Sequence, residues 1–305
     1  MKFFSRAQKT GFVIPDLSKT AAFYEGTNCK IMNGKALSAQ FISQAQTLRN
    51  GKKIPCLAVI LTGDNPASHV YVKNKIKIFN EAGFESQSFY LSSADTSEEK
   101  IISIIHKLNN DKNVDGILVQ LPLPKNVNVE KILNEILPEK DVDGFLAQSI
   151  GSLATGEFTH AIACTPFGVL AMLYSYGVEI SGKNAVVVGR SNIVGKPMSL
   201  LLLSTDATVT IAHSKTKQLK EICQNADILI AAIGKPEFID KSYIKKNAVV
   251  VDVGIHRKEN GKLCGDVHTN VTEVAQALSP VPGGVGPMTI AMLMLNTALA
   301  AWAKN

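Results

Sequence analysis

Three side chains near the start of one predicted helix have the types needed for proton-transfer chemistry. Tyr71 and Lys75 are four residues apart, and Ser68 precedes Tyr71 by three. Residues with this spacing share one face of an α-helix. A lysine beside a tyrosine can exchange protons with a substrate when burial lowers the pKa of the lysine. Spacing alone also allows a solvated lysine beside a half-buried tyrosine.

Two more polar residues follow predicted strand or turn segments. Gln120 lies near the end of the apolar run Gly116–Leu121, where open α/β sheets bind ligands. A glutamine at this point can equally cap a turn. Asp143 precedes Gly144, which is a common turn pair and by itself indicates a linker.

A glycine-bearing turn in the second half of the chain predicts a phosphate site. The run Asn184–Val188 is followed by Gly189-Arg-Ser-Asn-Ile-Val-Gly195. A turn between a strand and a helix directs backbone N–H groups at a phosphate. Gly189 permits the sharp turn and Gly195 a close backbone approach. Because the run is not Gly-x-Gly-x-x-Gly, a plain strand-to-helix turn is the alternative.

The end of the next strand bears on which dinucleotide binds. The run Ile211-Ala-His-Ser-Lys215 contains no acidic residue. An NAD site usually carries Asp or Glu here to bind the ribose 2′-hydroxyl, whereas a 2′-phosphate suits Arg190, Ser214 and Lys215. The sequence favours NADP, against the alternative that Arg190 and Lys215 are ordinary surface charges.

Alternating strands and helices must position these residues, and this alternation predicts parallel sheets covered by helices. Apolar runs predict strands over Cys56–Leu61, Phe84–Leu91, Gly116–Leu121, Asn184–Val188, Thr208–Ala212, Ile228–Ala232 and Ala248–Val253. Helical spacing and capping signals, including a Thr96/Glu99 capping box, predict helices over Gly34–Asn50, from Pro66, and over Glu99–Leu108, Lys131–Leu137, Thr165–Tyr176 and Pro197–Leu203. A last helix follows the loop Pro282–Pro287 and runs to about Ala303.

Composition argues against several classes of protein. The 305 residues are 46% hydrophobic and 19% charged, which permits two domains with large cores rather than disorder. No apolar run reaches the ~18–20 residues that span a bilayer, and Ala291–Ala301 is predicted to be a buried helix. The net charge of +6 is scattered along the chain, which disfavours nucleic-acid binding and suits small polyanions.

The cysteines and the first thirty residues indicate in which cellular compartment the protein is expected. Five widely spaced cysteines without a Cys-x-x-Cys motif favour a reducing, cytoplasmic location and predict neither disulfides nor a metal site. Residues 1–30 are interpreted as a loosely held extension, with the folded part starting near Ile31. Import into an organelle through this extension is the minor alternative.

Together these segments resemble the bifunctional methylenetetrahydrofolate dehydrogenase/methenyltetrahydrofolate cyclohydrolase family. The resemblance extends from about Ile31 to Ala301. It is carried by Gly63-Asp-Asn-Pro-Ala-Ser68, Tyr71-Val-Lys-Asn-Lys75, Val119-Gln-Leu-Pro-Leu-Pro124, Lys140-Asp-Val-Asp-Gly-Phe145, Gly189-Arg-Ser-Asn-Ile-Val-Gly-Lys-Pro197 and Pro280-Val-Pro-Gly-Gly-Val-Gly-Pro-Met-Thr289.

The resemblance implies a role for each candidate residue. Lys75 matches the catalytic lysine, Tyr71 the tyrosine that lies against the folate, and Gln120 the glutamine that tunes the lysine. Asp143 matches the carboxylate that holds the pterin. The implied nucleotide-binding positions are Gly189, Arg190, Ser191, Ser214 and Ile255.

The resemblance also implies an α/β architecture and an activity. We expect an N-terminal α/β folate-binding domain (residues 31–160 plus 287–305), a Rossmann-type NADP-binding domain (161–286) and a cleft between them. The C-terminal helix from Met288 should pack back on the first block. The implied reactions are oxidation of 5,10-methylenetetrahydrofolate with NADP and hydrolysis of the product to 10-formyltetrahydrofolate. Expected partners are tetrahydrofolate derivatives and a second copy of the chain in a homodimer, with no nucleic acid and no membrane.

The sequence departs from the family pattern at a few positions. After Asp143-Gly-Phe145 the family often has His and, three residues on, Asn, where this chain has Leu146 and Ser149. Ala163 replaces a common proline. The first difference could alter the lining of the cleft.

Two rival functions remain open at this point. One is an NADP oxidoreductase of similar layout, such as a shikimate dehydrogenase-like enzyme. The other is a non-catalytic folate-binding relative, which would lack Lys75, Gln120 or Asp143.

Overall fold

The computed structural model describes residues 5–303, in which helices and parallel strands alternate. The helices are α1 (Ser5–Lys9), α2 (Gly34–Leu48), α3 (Pro66–Glu81), α4 (Glu98–Asn110), α5 (Val129–Leu133), α6 (Ala147–Thr155), α7 (Cys164–Ser175), α8 (Gly195–Leu203), α9 (Leu219–Gln224) and α10 (Val285–Trp302). The strands are β1 (Lys30–Ile31), β2 (Cys56–Thr62), β3 (Glu85–Leu91), β4 (Gly116–Val119), β5 (Asn184–Val188), β6 (Thr208–Ala212), β7 (Ile228–Ala231), β8 (Val249–Asp252), β9 (His256–Arg257), β10 (Leu263–Cys264) and β11 (Ala277–Leu278). Short 3-10 helices cover Pro138–Lys140, Lys241–Tyr243 and Thr269–Glu273.

The chain divides into two compact units, and the predicted α/β class with parallel sheets is confirmed. Unit 1 holds Ile42–Ile162 together with the chain up to Val13 and from Leu293 onward. Unit 2 holds Ile14–Phe41 and Ala163–Met292.

Unit 1 contains a three-stranded parallel sheet in the order β3-β2-β4. All seven residues of the central strand β2 are buried, as expected of an apolar run covered on both faces. Helix α4 buries Ile101, Ile105 and Leu108, which recur at helical spacing. Its N-cap is Ser97, whose side chain accepts from the Lys100 amide. The predicted cap Thr96 instead donates to the Ser92 carbonyl over 2.7 Å, so that prediction was wrong by one residue.

The segment after the Pro138–Lys140 turn continues this sheet beyond β4. Asp141 forms an isolated parallel bridge with Ile117 of β4. A Cβ on Gly116 would lie 2.6 Å from Cγ1 of Val142, so only glycine allows this close packing. Asn296 donates to the carbonyl oxygens of Val142 and Ile162, each over 2.9 Å. The segment that leads to Asp143 is therefore held from two directions.

Unit 2 contains a six-stranded parallel sheet in the order β1-β11-β8-β7-β5-β6. Strands β7 and β8 are wholly buried, whereas β6 forms one edge and is largely exposed. An antiparallel ribbon of β9 and β10 follows β8. The order reverses direction beside β5, and open α/β sheets bind ligands at such points.

The last helix is longer and more apolar than the sequence analysis expected. By length and composition, α10 is the one helix among residues 5–303 that could cross a membrane, and 78% of it is buried within the structure. Mostly buried core helices meet the same criterion, and the expectation of a buried helix is confirmed. Trp302 donates to the Lys53 carbonyl over 3.0 Å, and with the Asn296 contacts this shows packing on the first block from Leu293 onward. The expectation that this packing starts at Met288 is wrong by five residues, because the helix up to Met292 belongs to unit 2.

The interpretation of residues 1–30 as a loosely held extension is wrong for the part that the structure describes. Ala7 and Phe12 are buried, and the Phe12 ring stacks on Trp302 at a centroid distance of 6.3 Å. In unit 2, the Leu17 amide donates to the Ser175 carbonyl over 2.7 Å, and Cys29 lies in the core under the large sheet. These contacts were missed because each joins residues far apart in sequence.

Candidate active site

Lys75 is a buried amine on α3 in unit 1. Only 4% of the residue is exposed, so the interpretation of a solvated lysine is wrong. Its Nζ lies 4.5 Å from the centroid of the Tyr71 ring, a cation–π distance. The predicted shared helical face is confirmed, and Tyr71 itself is half-buried.

Gln120 directs its oxygen at this lysine. Its amide nitrogen donates to the Leu121 carbonyl over 2.7 Å, which leaves Oε1 to accept from Lys75 Nζ over 3.1 Å. The backbone of Gln120 extends the ladder of β4 by donating to the Ile60 carbonyl of β2. The glutamine is therefore fixed at both ends and presents an acceptor to the buried amine, rather than capping a turn.

Asp143 is half-buried in the segment that continues the sheet. The bridge between Ile117 and Asp141 runs parallel to β4, and two residues further along each chain stand Val119 and Asp143. Carboxyl ends of parallel strands meet at one edge of a sheet. Asp143 and Gln120 thus emerge at the same edge of unit 1.

In unit 2, the turn after β5 matches the expectation for both glycines. Gly189 has φ +142°, and a Cβ there would lie 2.3 Å from the Ala232 carbonyl oxygen. A Cβ on Gly195 would lie 2.2 Å from the Gly189 carbonyl oxygen. A side chain at either position would clash with these oxygens and force the turn apart, so the glycines keep its backbone compact.

The remaining predicted nucleotide-binding residues surround this turn or follow β8. Ser191 Oγ accepts from the Val194 and Gly195 amides over 3.1 and 3.3 Å and so organises the start of α8. Arg190 after β5 and Ser214 after the neighbouring β6 are both exposed. Ile255 is 57% exposed and borders a cavity of about 140 Å³ that is lined by segments 252–255 and 280–287.

Two buried aspartates of unit 2, Asp252 and Asp266, are not among the residues that the sequence singled out. Asp266, fully buried, accepts from the Ile233, Gly234 and Lys235 amides and from His256 Nε2 over 2.8 Å. Asp252 accepts from the amides of Gly254, Asp266 and Val267, and burial raises its pKa to about 7. Neither carboxylate lies in a periodic pattern, so only the folded backbone reveals them.

Among the described residues, no group of three His, Cys, Asp or Glu side chains could hold a metal ion. All five cysteines are buried free thiols.

Comparison with known proteins identifies the family to which the chain belongs. Residues 32–143 match the model of the tetrahydrofolate dehydrogenase/cyclohydrolase catalytic domain. Residues 163–305 match the model of the NAD(P)-binding domain of the same name. The chain belongs to the tetrahydrofolate dehydrogenase/cyclohydrolase family.

Individual relatives agree over nearly their full length. The bifunctional protein FolD of Agathobacter rectalis is 53% identical over 271 residues, which are 87% of this chain and 96% of that protein. The crystal structure of the bifunctional FolD enzyme from Campylobacter jejuni has a TM-score of 0.87 and 43% identity, over 90% of this chain and 99% of that one. The Trypanosoma brucei enzyme, solved with NADP and an inhibitor, has a TM-score of 0.85 and 34% identity, over 90% and 98%.

The positions where this family member departs from the pattern are all internal. Leu146 and Ser149 are 4% and 3% exposed, and Ser149 Oγ donates to Asp141 over 2.7 Å. Ala163 is the buried N-cap residue of α7. The predicted catalytic set of Lys75, Gln120 and Asp143 is complete in the sequence.

Proposed function

We propose that this chain oxidises 5,10-methylenetetrahydrofolate to 5,10-methenyltetrahydrofolate with NADP and then hydrolyses the product to 10-formyltetrahydrofolate. The observation that carries the proposal is the buried Lys75 amine, 3.1 Å from Gln120 Oε1, in a member of this family. A buried amine held by a neutral acceptor suits proton transfer better than binding of a fixed anion.

The turn after β5, residues 189–195, supports binding of NADP for three reasons. Gly189 and Gly195 keep the backbone of the turn compact, because a Cβ at either position would clash with a carbonyl oxygen of the chain. Helix α8 starts at Gly195, and helix N-termini favour anions. The end of β6 carries no acid that would repel a 2′-phosphate, and the exposed Arg190 and Ser214 supply donors for one.

The oxidation step makes few chemical demands on the chain. When bound, NADP supplies the nicotinamide that accepts a hydride from the bridging methylene carbon. The two folate nitrogens that flank this carbon stabilise the resulting cation with their lone pairs. The chain's own task is alignment, for which we assign the Tyr71 ring to the face of the folate and the Asp143 carboxylate to the pterin.

The hydrolysis step needs a base and then an acid. Water attacks the methenyl carbon, and we propose that Lys75 accepts its proton. The lysine returns that proton to the ring nitrogen as the carbon–nitrogen bond breaks. The hydroxyl group on the carbon releases its remaining proton to solvent, which leaves the formyl group on the other nitrogen. The substrate is itself a cation, and a nearby cation disfavours a protonated lysine. The Gln120 oxygen fixes the amine without neutralising a charge.

A spectrophotometric assay tests the proposal directly. Purified protein is mixed with methylenetetrahydrofolate and either NADP or NAD, and the absorbance of NADPH and of methenyltetrahydrofolate is followed separately. We expect reduction of NADP, faster than of NAD, with little accumulation of the methenyl compound. Absence of methylenetetrahydrofolate-dependent reduction with either nucleotide would contradict the proposal and revive the alternative of another oxidoreductase.

We further propose that the chain works in the cytoplasm as a homodimer and binds neither nucleic acid nor membrane. The scattered charge supports the absence of nucleic-acid binding. An exposed edge strand, β6, with Ile211 on it and Leu203 of α8 nearby in sequence, supports self-association because unpaired strand edges invite pairing. Light scattering should give twice the chain mass, and a monomer at micromolar concentration would contradict it.

A further inference from the structure

The carboxylate of Asp141 is enclosed by donors two residues before Asp143. It accepts from the amides of Gly144, Phe145 and Leu146 over 2.9, 3.3 and 3.1 Å. It also accepts from Ser149 Oγ over 2.7 Å. Asp141 is 4% exposed. This carboxylate therefore closes a loop around Asp143 and ties the loop to the first turn of α6.

The chain on the other side of Asp141 is equally fixed. Lys140 is buried, and its Nζ donates to the carbonyl oxygens of Leu108 and Asp111 over 2.6 and 2.7 Å. The backbone of Asp141 bridges to Ile117. Asp143 thus stands between an anchored segment and a loop whose three amides all point at one carboxylate.

Ser149 supplies the side-chain donor in this arrangement. It occupies the position where the family often has asparagine. An ionised acceptor makes its hydrogen bond stronger than a neutral pair. Loss of a donor to a buried carboxylate is costly because the charge has no solvent to replace the donor.

We propose that Asp141, held by Ser149, is a positioning residue that sets the direction in which Asp143 meets the folate. The inference rests on the proposed function, because it requires Asp143 to contact the pterin. Residues that orient a binding group through hydrogen bonds strengthen binding without touching the ligand. The pair should therefore govern folate binding more than nucleotide binding.

A matched pair of serine variants on α6 tests the proposal. Ser149→Ala removes the donor to Asp141. Ser152→Ala removes a buried hydroxyl one turn later, which instead accepts from the Thr159 amide and contacts its hydroxyl. Steady-state kinetics and thermal unfolding are measured for both variants. We expect Ser149→Ala to raise KM for methylenetetrahydrofolate about tenfold, since a misplacement of about 1 Å can cost up to about 10²-fold.

Three accompanying results are required. KM for NADP should stay within about twofold of the wild-type value, and Ser152→Ala should leave both KM values unchanged while lowering the melting temperature by a similar amount to Ser149→Ala. Ser149→Thr, which keeps the hydroxyl, should restore most of the folate affinity. Equal KM values in the two alanine variants, or a parallel loss of nucleotide affinity, would overturn the proposal.

Substitution of Asp143, alone and together with Ser149→Ala, separates this inference from the proposed function. In an Asp143→Ala background, Ser149→Ala should cause no further loss of folate affinity, because the two residues act in series. If Asp143→Ala alone leaves folate affinity intact, the assigned role of Asp143 fails. If Asp143→Ala weakens binding and Ser149→Ala does not, only the positioning role fails. An additive loss in the double variant also refutes it.

Discussion

The two parallel sheets present their polar groups at the carboxyl ends by opposite means. In unit 1 the groups are buried or half-buried side chains, of which Lys75 and Gln120 are hydrogen-bonded to each other. In unit 2 the turn after β5 is built from compact backbone, while Arg190 and Ser214 extend into solvent.

The two arrangements suit two different tasks. Preorganised buried donors and acceptors suit the stabilisation of charge that develops during a reaction. Exposed charges around a glycine turn suit capture of a soluble polyanion. Unit 1 should therefore suffer most from deletion of side-chain atoms. Nucleotide binding in unit 2 should be weakened either by loss of the charge that contacts the 2′-phosphate or by atoms added to the turn after β5.

The largest effect is expected at Lys75. Lys75→Met keeps much of the side-chain volume but removes the amine, so cyclohydrolase activity should fall by about 10²-fold or more. Dehydrogenase activity should fall less, and methenyltetrahydrofolate should accumulate, because hydride loss depends on alignment and on the folate nitrogens. The formation of NADPH measures the dehydrogenase rate, and the decay of added methenyltetrahydrofolate measures the cyclohydrolase rate.

Gln120 provides the control for that experiment. It should act through the lysine, so Gln120→Ala combined with Lys75→Met should be less than additive for hydrolysis. Full cyclohydrolase activity in folded, folate-binding Lys75→Met protein would rule out the mechanism.

In unit 2, removal of one exposed charge should distinguish the two nucleotides. Arg190→Ala should weaken NADP by about 10- to 150-fold, the worth of a charge-assisted contact of about 1.5–3 kcal/mol, and leave NAD nearly unchanged. Lys183→Ala, at the opposite end of β5 and paired with Glu179, controls for general loss of charge. Equal losses for NADP and NAD would refute the assignment of the 2′-phosphate.

Adding one carbon to the turn should weaken nucleotide binding about tenfold. In Gly189→Ala the new Cβ would meet the Ala232 carbonyl oxygen at 2.3 Å, and overpacking of this kind costs about 1–3 kcal/mol. Gly182→Ala is the matched control, because its φ of +73° is also positive but nothing lies within 4 Å of its Cβ. Fluorescence titration with NADPH compares them. Similar affinities would show that the turn tolerates expansion.

A further effect, on stability rather than on binding or activity, concerns the pH dependence at Asp252. Burial raises the pKa of this carboxyl from 3.8 to about 7, so between these values the folded chain keeps a proton that the unfolded chain has lost. Its contribution to stability is complete below pH 3.8 and disappears as the pH rises through about 7. The free energy of unfolding should fall by about 1.4 kcal/mol per pH unit from this group.

Urea unfolding at pH 5, 6 and 7 measures that slope. Asp252→Asn should flatten this slope. The comparison is repeated in a His256→Gln background, which removes the imidazole that contacts the neighbouring Asp266. An unchanged slope in the asparagine variant would mean that Asp252 is already ionised at pH 5.

The features that could be predicted from the sequence are those determined by residues close together in the chain. The apolar run of β2 and the spacing of Tyr71 and Lys75 follow from patterns within a few residues. Helix α6 was missed because its N-cap, Leu146, makes no side-chain capping bond. The two-residue strands β1, β9, β10 and β11 were missed because they are too short to show a period.

The sequence named candidate members of the site but not the hydrogen bonds that each of them makes. The resemblance named Gln120, yet the direction of its amide depends on the Leu121 carbonyl. The motif at residues 140–145 singled out Asp143. In the folded chain it is Asp141 that accepts the hydrogen bonds of the loop. Such contacts depend on the loop conformation, which residue types alone do not specify.

The edge of the large sheet has a consequence for synthesis on the ribosome. Strand β1 begins at Lys30, and its partner residue in β11 is Ala277. At roughly 5–20 residues per second, the partner emerges some 10–50 seconds after β1. During this interval the nascent chain must keep an early segment unpaired, so closure of the sheet is a late, nearly post-translational event. Stalled or truncated products that contain β8 but end before residue 277 would leave β8 paired with β7 alone and expose a new strand edge to other chains.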